Sequence, residues 1–510
     1  MFAQPPTTRA LAALTAAALL AAPAGAAQGA LTHAAAPAVA TPIAWAAPAP
    51  ADVFTVDRSV LRFPAEPGGH TPNFQAPSAT SCARPVRTHV EPGGGPLQIG
   101  GTVRRARPAP AAVAMAERTV ADAAAPAEAL PAPPPMPASP APAGKPAPLA
   151  RGAAAAAQQA GAPVTAGMVD DNADFAEYLA FRARTDVPHR PRDVRERTLL
   201  QVRDPQGRPV PDAEVAVRGT SGATLWARTD TAGRAWIAPD AFDAGASQLY
   251  EVTVRQGMAR TTGVLKRGQQ SALDIVLDAA APPARARLDL VFLVDATGSM
   301  GDEIARLRAT LHTIADEVAR LPSRPDTCFG LVAYRDRGDA FLLRSHDFTN
   351  DLTGFQQVLD QLQADGGGDN PEAMNEALHE AVHALNWRGS GATRLMVLLA
   401  DAPPHLNYGG PQYDDDMMAA LGKGIKIFSV GASGLDPQGE YIQRQIAQYT
   451  GGRFVFLTYR DRNRPGSGPG TETVHDVRNY SVDTLDRLIV RLVSEELACL
   501  PAATGAQKPL

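Results

Sequence analysis

The run Leu288–Val294, with the sequence LDLVFLV, constrains the fold more than any other segment of the chain. A strand with apolar side chains on both faces is typical of a sheet that helices cover on both sides. Apolar residues then recur at helical spacing over Asp302–Leu321, and further apolar strands are predicted at Cys328–Tyr334 and Arg394–Ala400. This alternation predicts an α/β fold, a doubly wound and mostly parallel sheet over residues 288–500.

Short segments with period-two alternation precede this region. Examples are Thr198–Arg203 (TLLQVR) and Leu249–Arg255 (LYEVTVR), and turns that contain Gly and Asp separate them. They predict a small all-β sandwich over residues 197–280. The stretches Gly207–Ala213 and Thr229–Ala235 resemble the carboxypeptidase-regulatory-like and transthyretin-like sandwich modules, and the resemblance implies a structural spacer.

Residues 1–26 have the pattern of a secretory signal peptide. Arg9 precedes the apolar run Ala10–Ala22, and Ala24-Gly25-Ala26 offers a cleavage site between small residues. An Ala-rich disordered start is the alternative. No later segment is long and apolar enough to cross a bilayer, so we expect no transmembrane segment after signal removal. The pattern therefore predicts an exported protein.

The segment 27–165 is rich in Ala and Pro and has too little large apolar surface to offset the entropy of ordering it. It is predicted to be a disordered Pro/Ala-rich spacer. Residues 166–196 are interpreted as a linker with a possible short helix, and residues 501–510 as a short tail.

The charge balance excludes one class of partner. The net charge of −5 and the pI of about 6.1 come without a cluster of Lys and Arg residues. A nucleic-acid surface needs such a cluster, so no nucleic-acid partner is predicted.

The chain has 3 cysteines, too few for a disulfide-rich scaffold. Cys82 lies in the predicted spacer. Cys328 begins a predicted strand and Cys499 ends the last predicted helix, which runs antiparallel to the strands, so both are expected at the same end of the fold. A disulfide between Cys328 and Cys499 is therefore predicted for an exported chain, with two buried unpaired thiols as the alternative.

Polar loops follow the predicted strands at the edge where such sheets bind ligands. They are Asp295–Met300 (DATGSM), Gly366–Asn370 (GGGDN) and Asp401–His405 (DAPPH). Their carboxylates and hydroxyls are hard oxygen ligands, which favour Mg²⁺, Ca²⁺ or Mn²⁺ over zinc. Taken singly, each residue has a simpler explanation as a helix cap or turn residue. Their common position at one edge favours a cation site.

A buried strand that ends in D-x-[ST]-x-S, a Gly-rich loop and a second strand that ends in Asp resemble the von Willebrand factor type A domain family. The resemblance covers residues 288–500 and implies a metal-ion-dependent adhesion site with Asp295, Thr297, Ser299 and Asp401 as metal ligands. The family's middle loop usually supplies a threonine, and Asp369 is the nearest candidate here. The form G-G-G-D-x-P-E is similar to a subgroup with hemicentin-like and exported bacterial proteins.

The stretch His379–His383, HEAVH, has the spacing of a zinc-protease motif. As a helix, this segment would direct its apolar residues to the sheet and both imidazoles towards water. Asn386 and Gly389 stand where a further Gly and His ligand would be needed. We therefore interpret the motif as a coincidence, and a zinc metalloprotease is a remote alternative.

These features predict an exported, non-catalytic protein that binds or adheres to a protein partner. The family resemblance implies that an acidic side chain of the partner completes the coordination of the cation. An alternative is a cell-envelope assembly or maturation factor that docks a partner enzyme through the same site, and a third is a purely structural ion. The location is predicted to be periplasmic, cell-surface or secreted.

Overall fold

The computed structural model describes Cys82 and the ranges 87–94, 98–99, 102–103, 163–245, 247–279, 285–368 and 370–500. The predicted signal peptide, most of the predicted spacer and the predicted tail lie outside these described residues, and so does Asp369.

The strands in the described residues are β1 Thr88–Glu91, β2 Gln98–Ile99, β3 Thr102–Val103, β4 Thr165–Val169, β5 Thr198–Arg203, β6 Glu214–Gly219, β7 Thr224–Arg228, β8 Arg234–Ile237, β9 Leu249–Gln256, β10 Ala259–Lys266, β11 Ala272–Val276, β12 Arg287–Asp295, β13 Asp326–Tyr334, β14 Leu343–Thr349, β15 Ala392–Ala400, β16 Ile425–Gly431, β17 Phe454–Thr458 and β18 Asp483–Thr484. The helices are α1 Phe175–Arg184, α2 Asp240–Asp243, α3 Gly301–Ala319, α4 Leu352–Asp360, α5 Met374–His379, α6 Tyr413–Lys423, α7 Pro437–Tyr449 and α8 Leu485–Ala498. Two 3₁₀ turns, Gly298–Met300 and Pro465–Ser467, and one π-helical turn, Glu380–Ala384, complete the set.

The largest sheet has 9 strands in the order β1-β14-β13-β12-β15-β16-β17-β4-β18. Its central strands, β13, β12, β15, β16 and β17, are parallel, and the strands on both flanks are antiparallel to their neighbours. The predicted α/β class is confirmed, but the sheet is mixed. On one flank β14 turns back antiparallel to β13, and segments from outside the predicted domain, β1 and β4, extend both edges.

Successive side chains of β12 enter two different apolar layers. Leu290 and Phe292 pack in the layer that contains apolar residues of α3, α4 and α8. Val291 and Leu293 pack in the other layer, with residues of α5, α6 and α7. A strand whose side chains alternate between two buried faces must be apolar throughout, which explains the continuous run in the sequence.

The segment predicted to be a sandwich forms two small sheets, with the strand orders β10-β9-β6-β7 and β11-β5-β8. Val217 and Val252 of the first sheet and Val202 of the second lie in one buried cluster. The kinship of this segment to the carboxypeptidase-regulatory-like modules remains a prediction.

A buried ion pair joins this segment to the large sheet. Arg394 Nη1 of β15 lies 2.8 Å from Asp212 Oδ1, and both side chains are almost completely buried. Arg228 Nη1 donates to the same Asp212 oxygen at 2.9 Å. Removing either partner of a buried pair leaves an uncompensated charge, so this contact fixes how the two parts of the chain meet.

Two segments outside the predicted domain contribute to its sheet. Thr88–Glu91, within the predicted spacer, pairs with β14 as an edge strand. Thr165–Val169, at the start of the predicted linker, pairs with both β17 and β18. Short strands of this kind are stabilised by the neighbour with which they pair, so local sequence alone did not indicate them.

The predicted disulfide between Cys328 and Cys499 is not the one observed. Cys328 is bonded to Cys82, with their Cα atoms 6.0 Å apart, and Cys499 is an exposed free thiol. The Cys328 side chain lies in the layer of α5, α6 and α7, whereas α8, which precedes Cys499, packs on the opposite face of the sheet. Strand β1 brings the chain from Cys82 to the sheet instead.

Within the described ranges, we find no helix that is both long and apolar enough to cross a membrane.

Candidate metal centre

The first loop of the candidate site begins where β12 ends. Asp295 is fully buried, and its Oδ1 accepts hydrogen bonds from Thr297 N at 2.9 Å and Thr297 Oγ1 at 2.7 Å. Thr297 Oγ1 also lies 3.0 Å from Ser299 Oγ. The turn Gly298–Met300 then leads into α3. Hydrogen bonds therefore bring the side-chain oxygens of Asp295, Thr297 and Ser299 together at the end of one strand.

The second oxygen of Asp295 lacks a comparable partner. Oδ2 is buried without a hydrogen bond of normal geometry, and the hydroxyl of Tyr334, which is also buried, is close enough to act on this carboxylate. Burial, followed by the charge of Asp401, raises the pKa of Asp295 to about 7. Asp295 has lost its hydration and is repelled by the charge of Asp401. A positively charged ligand offsets both effects, so this carboxylate favours one.

Sheet register places the second strand end beside the first. Val294 of β12 is paired with Leu399 of β15, and Asp401 follows β15 directly. Asp401 is only 5% exposed, and its charge acts on Asp295. The structure thus brings Asp295, Thr297, Ser299 and Asp401 to one end of the sheet, while the position of Asp369 lies outside the described residues.

The Gly-rich loop lies directly against the first loop. Gly298 N donates to Gly366 O at 2.9 Å. A Cβ on Gly367 would lie 3.1 Å from the Thr297 Cβ and 3.0 Å from Glu372 Oε1. Both Gly366 and Gly367 have positive φ, at 78° and 69°. Glycine is needed here because the backbone must pass close to Thr297 in a left-handed conformation.

Sequence reasoning missed the buried carboxylate of Glu372. Its Oε2 has no hydrogen-bond partner, and its backbone N donates to Pro403 O at 3.0 Å. Burial, followed by the charges of Asp295 and then other aspartates, raises the pKa of Glu372 to about 9. The last letter of the G-G-G-D-x-P-E pattern is this residue, so the signal was present in the sequence but no role was inferred from it.

Other acidic residues surround this group. Asp339 Oδ2 accepts from Gly367 N at 2.8 Å and from Asp336 N at 3.0 Å, and His405 Nε2 lies 3.0 Å from Asp336 Oδ1. Carboxylates and hydroxyls dominate the donor set, and the buried Oδ2 of Asp295 has no hydrogen bond of normal geometry. The residues therefore fit a hard divalent cation such as Mg²⁺, Ca²⁺ or Mn²⁺.

The HEAVH segment differs from its prediction. The α-helix ends at His379, and Glu380–Ala384 form a π-helical turn. The two imidazoles do not simply face water, because His379 Nδ1 and His383 Nε2 lie 2.9 and 3.0 Å from Asp416 Oδ1. Asp416 belongs to α6, which a local pattern over HEAVH could not reveal.

Comparison with known proteins supports part of this picture. Residues 289–405 match the profile of the von Willebrand factor A domain family, and this range includes both strand ends of the site. The alpha-protein kinase vwkA of Dictyostelium discoideum is 29% identical over 119 residues, which are 23% of this chain and 19% of that protein. A putative ariadne-like RING finger protein of Acanthamoeba polyphaga mimivirus is 28% identical over 123 residues, 24% of this chain and 12% of that protein.

A third relative carries the domain in its name. The von Willebrand factor A domain-containing protein 7 of Mus musculus is 34% identical over 93 residues, 18% of this chain and 10% of that protein. The chain therefore spans less than a fifth of the length of each of these relatives. Each of these matches covers no more than 123 residues.

The expectation of a chain without enzymatic activity is overturned by these relatives. One is named as an alpha-protein kinase and another as a RING finger protein. A domain of this type therefore occurs in chains with such names, and its presence is no argument against catalysis. What the matched segment supports is an interaction domain. The chain therefore contains a von Willebrand factor A domain, a domain of the protein-binding type, matched over residues 289–405.

Proposed function

We propose that this chain is an exported protein that captures a protein partner through a divalent cation held by its von Willebrand factor A domain. The observation that carries the proposal is the carboxylate of Asp295. One of its oxygens accepts two hydrogen bonds from Thr297, and the other is buried without a hydrogen bond of normal geometry. A hard divalent cation supplies the missing positive charge.

The chain's own residues have distinct roles in this proposal. Asp295 and Asp401 supply negative charge, and the short neutral hydroxyls of Thr297 and Ser299 can approach the ion directly. Ser299 is exposed, whereas Thr297 and Asp295 are completely buried, so the site is accessible from the side of Ser299. A cation such as Mg²⁺, when bound here, keeps a water-filled position that an acidic side chain of the partner can take.

Asp369 is proposed as a fifth ligand on the sequence alone. It stands in the Gly-rich loop, and the described neighbours Gly366 and Gly367 pass close to Gly298 and Thr297. The resemblance to the hemicentin-like and exported bacterial subgroup, which includes this aspartate, supports the same assignment.

Cation binding is tested by calorimetric titration of Mg²⁺ and Mn²⁺ into the full-length, tag-free protein. Ser299→Ala, Asp401→Asn and Asp369→Ala should each weaken binding by at least about tenfold, since each removes a ligand. Thr313→Ala is the matched control, because this exposed hydroxyl lies on α3 and bonds only Ala309 O. Wild-type affinity in the Ser299 and Asp401 variants would refute the cation site.

Partner capture is tested with the immobilised full-length protein and extracts of the cell envelope or of extracellular matrix. Capture should require Mg²⁺, disappear with EDTA and be lost in Ser299→Ala. Recovery of an envelope enzyme would favour an assembly or maturation role, and recovery of a matrix or host protein would favour adhesion. If EDTA lowers the melting temperature but does not affect capture, the ion has only a structural role.

Export is a separate part of the proposal. It is supported by the signal pattern of residues 1–26 and by the Cys82–Cys328 disulfide, which is typical of oxidising compartments. Fractionation of cells that produce the protein should place it beyond the cytoplasmic membrane in a processed form. An unprocessed cytoplasmic chain would contradict export without affecting the cation site.

A further inference from the structure

A second group of side chains with metal-ligand chemistry shares no residue with the adhesion-type site. His379 and His383 follow α5, Asp416 lies on α6, and one potential ligand atom from each residue falls within 4.8 Å of the others. The two imidazole rings are tilted by 32° to each other, with ring centroids 4.4 Å apart. We propose that these three side chains bind one divalent transition-metal ion of the zinc class.

The π-helical turn Glu380–Ala384 creates this arrangement. Leu385 N donates to Glu380 O, five residues back, at 3.3 Å. Such wide turns are uncommon and recur at functional sites in helices. Side chains from outside the turn bond the carbonyls that the wider turn exposes: Trp387 Nε1 bonds Ala381 O and Lys423 Nζ bonds Val382 O, both at 2.7 Å. Contacts from Trp387 and Lys423 therefore stabilise the π-helical turn.

The carboxylate of Asp416 is buried, and its described side-chain partners are two imidazoles rather than Arg or Lys. It is 3% exposed, and its Oδ2 is buried without a hydrogen-bond partner. Its neighbour on α6, Asp414, forms ion pairs with the guanidinium groups of Arg190 and Arg192. The Oδ1 of Asp416 instead faces two imidazoles, at 2.9 and 3.0 Å. A buried carboxylate flanked by two histidines is a transition-metal donor set.

Two of the three separations between the ligand atoms suit a four-coordinate ion, and the two histidine nitrogens lie within 4.8 Å of each other. Bonds of about 2.0–2.1 Å hold neighbouring tetrahedral ligands roughly 3.3 Å apart, and both His-to-Asp416 separations are within a few tenths of an ångström of that value. Binding requires His379 Nδ1 and His383 Nε2 to present lone pairs, so each imidazole carries its hydrogen on the other nitrogen. Three protein ligands leave one position for water or an added ligand.

The donor set separates this site from the adhesion-type site. Imidazole nitrogens favour zinc-class ions, whereas the oxygen ligands around Asp295 favour Mg²⁺. Glu380, the residue that zinc proteases use as a base in this motif, has its Oε1 bonded to Ser345 Oγ at 2.7 Å. The inference is therefore metal binding that links α5 and its π-helical turn to α6, and it does not depend on the proposed function.

The experiment titrates Co²⁺ into tag-free full-length protein in excess Mg²⁺, which occupies the oxygen site. Tetrahedral Co²⁺ with nitrogen ligands absorbs visible light much more strongly than six-coordinate Co²⁺, so the band reports this site. We expect one equivalent to saturate the band and Zn²⁺ to displace it. Zn²⁺ should also raise the melting temperature of the wild type.

Matched variants decide the outcome. His379→Ala and Asp416→Asn should weaken Co²⁺ binding at least about tenfold and abolish the Zn²⁺ stabilisation. The side chain of His379 is 51% exposed, so its truncation should leave the fold intact, which circular dichroism checks. His312→Ala, which removes a single histidine paired with Asp360, should bind as the wild type does. No saturable band in the wild type, or an unchanged band in His379→Ala, would overturn the inference.

Discussion

Gly366 and Gly368 lie two residues apart in the loop beside the candidate adhesion site, but their surroundings differ sharply. A Cβ on Gly366 would run into the carboxylate of Asp339, and the residue has a φ of 78°. A Cβ on Gly368 would meet no atom within 4 Å, and its φ is not in the left-handed region. Gly366 therefore needs to be glycine for two physical reasons that do not apply to Gly368.

The first prediction follows from this contrast. Gly366→Ala should lower the free energy of unfolding by about 1–3 kcal/mol, because it combines backbone strain with a displaced Asp339, and it should also weaken Mg²⁺ binding. Gly368→Ala should change both by little. Chemical unfolding and calorimetry measure the two quantities. Equal effects of the two substitutions would show that the loop is not held as described.

His346 is a titratable group whose charge the fold disfavours. It lies on β14, is 4% exposed, and its Nδ1 is 2.9 Å from Thr88 Oγ1 of β1. Burial, followed by the charge of Arg344, lowers the pKa of His346 to about 4. The unfolded chain binds a proton near pH 6.5 while the folded chain does not, so the folded state loses stability as the pH falls between these values.

The second prediction concerns that pH range. From about pH 7 to about pH 5 the wild type should lose stability more steeply than His346→Asn, by at most about 1.4 kcal/mol per pH unit between the two pKa values. Urea unfolding at several pH values gives the comparison. Parallel stability curves for the two proteins would show that folding does not shift the pKa of His346.

Single residues differed in how far the sequence revealed them. Asp295, Thr297, Ser299 and Asp401 could be named because each follows an apolar strand, and the ends of neighbouring parallel strands meet. The contribution of Glu372 depends on burial beside Asp295, and that of Asp416 on the packing of α6 against the turn after α5. Glu372 is the last residue of the G-G-G-D-x-P-E pattern, but neither its burial beside Asp295 nor the packing of α6 can be seen in the local sequence.

At the level of elements, β12 has a buried, hydrogen-bonded aspartate near each end. Its carboxyl end carries Asp295, and near its start the fully buried Asp289 accepts bonds from Arg388 N at 2.8 Å and Arg388 Nε at 2.6 Å. Arg388 Nη1 also lies 2.8 Å from Asp326 Oδ2 of β13. This ion pair joins the segment after the π-helical turn to two central strands.

The third prediction tests this contact. Arg388→Met should cost about 3–5 kcal/mol of unfolding free energy, because it leaves the carboxylate of Asp289 buried and unpaired. The double variant Asp289→Asn, Arg388→Met should recover part of that loss. Arg320→Met is the matched control, since its ion pair with Asp316 is exposed and should be worth less than about 1 kcal/mol. Urea unfolding curves distinguish the three variants.

The central elements were predictable, and the edge elements were not. The apolar runs of β12, β13 and β15 are long enough to predict strands that are buried on both faces. Strands β1 and β4 are short, and they depend on pairing with β14 and with β17 and β18. The sequence predicted a helix through HEAVH, but the α-helix ends at His379 and a π-helical turn follows. Bonds from Trp387 and Lys423 stabilise that turn, and a local pattern could not reveal them.

At the scale of the whole molecule, the Cys82–Cys328 disulfide connects residues 246 positions apart. It joins the segment before β1 to the centre of the large sheet, and Cys328 is completely buried. A cross-link over so long a stretch limits the conformations of the unfolded chain, which stabilises the folded chain by a few kcal/mol in typical cases.

The fourth prediction concerns the thiols. The unreduced native protein should react with one equivalent of a thiol reagent, at the exposed Cys499, and Cys499→Ser should abolish the reaction. Cys82→Ser and Cys328→Ser should each lower the free energy of unfolding by about 2–5 kcal/mol, whereas Cys499→Ser should leave it unchanged. A free Cys82 in the wild type would contradict the observed pairing.

The same disulfide determines what a protease can do to the molecule. A single cut at any peptide bond between Cys82 and Cys328 produces two fragments that remain covalently attached. Maturation by cleavage in that interval would therefore yield a two-chain protein that keeps Cys82 fastened to the sheet. Such a product would migrate as one species until a reductant separated its parts.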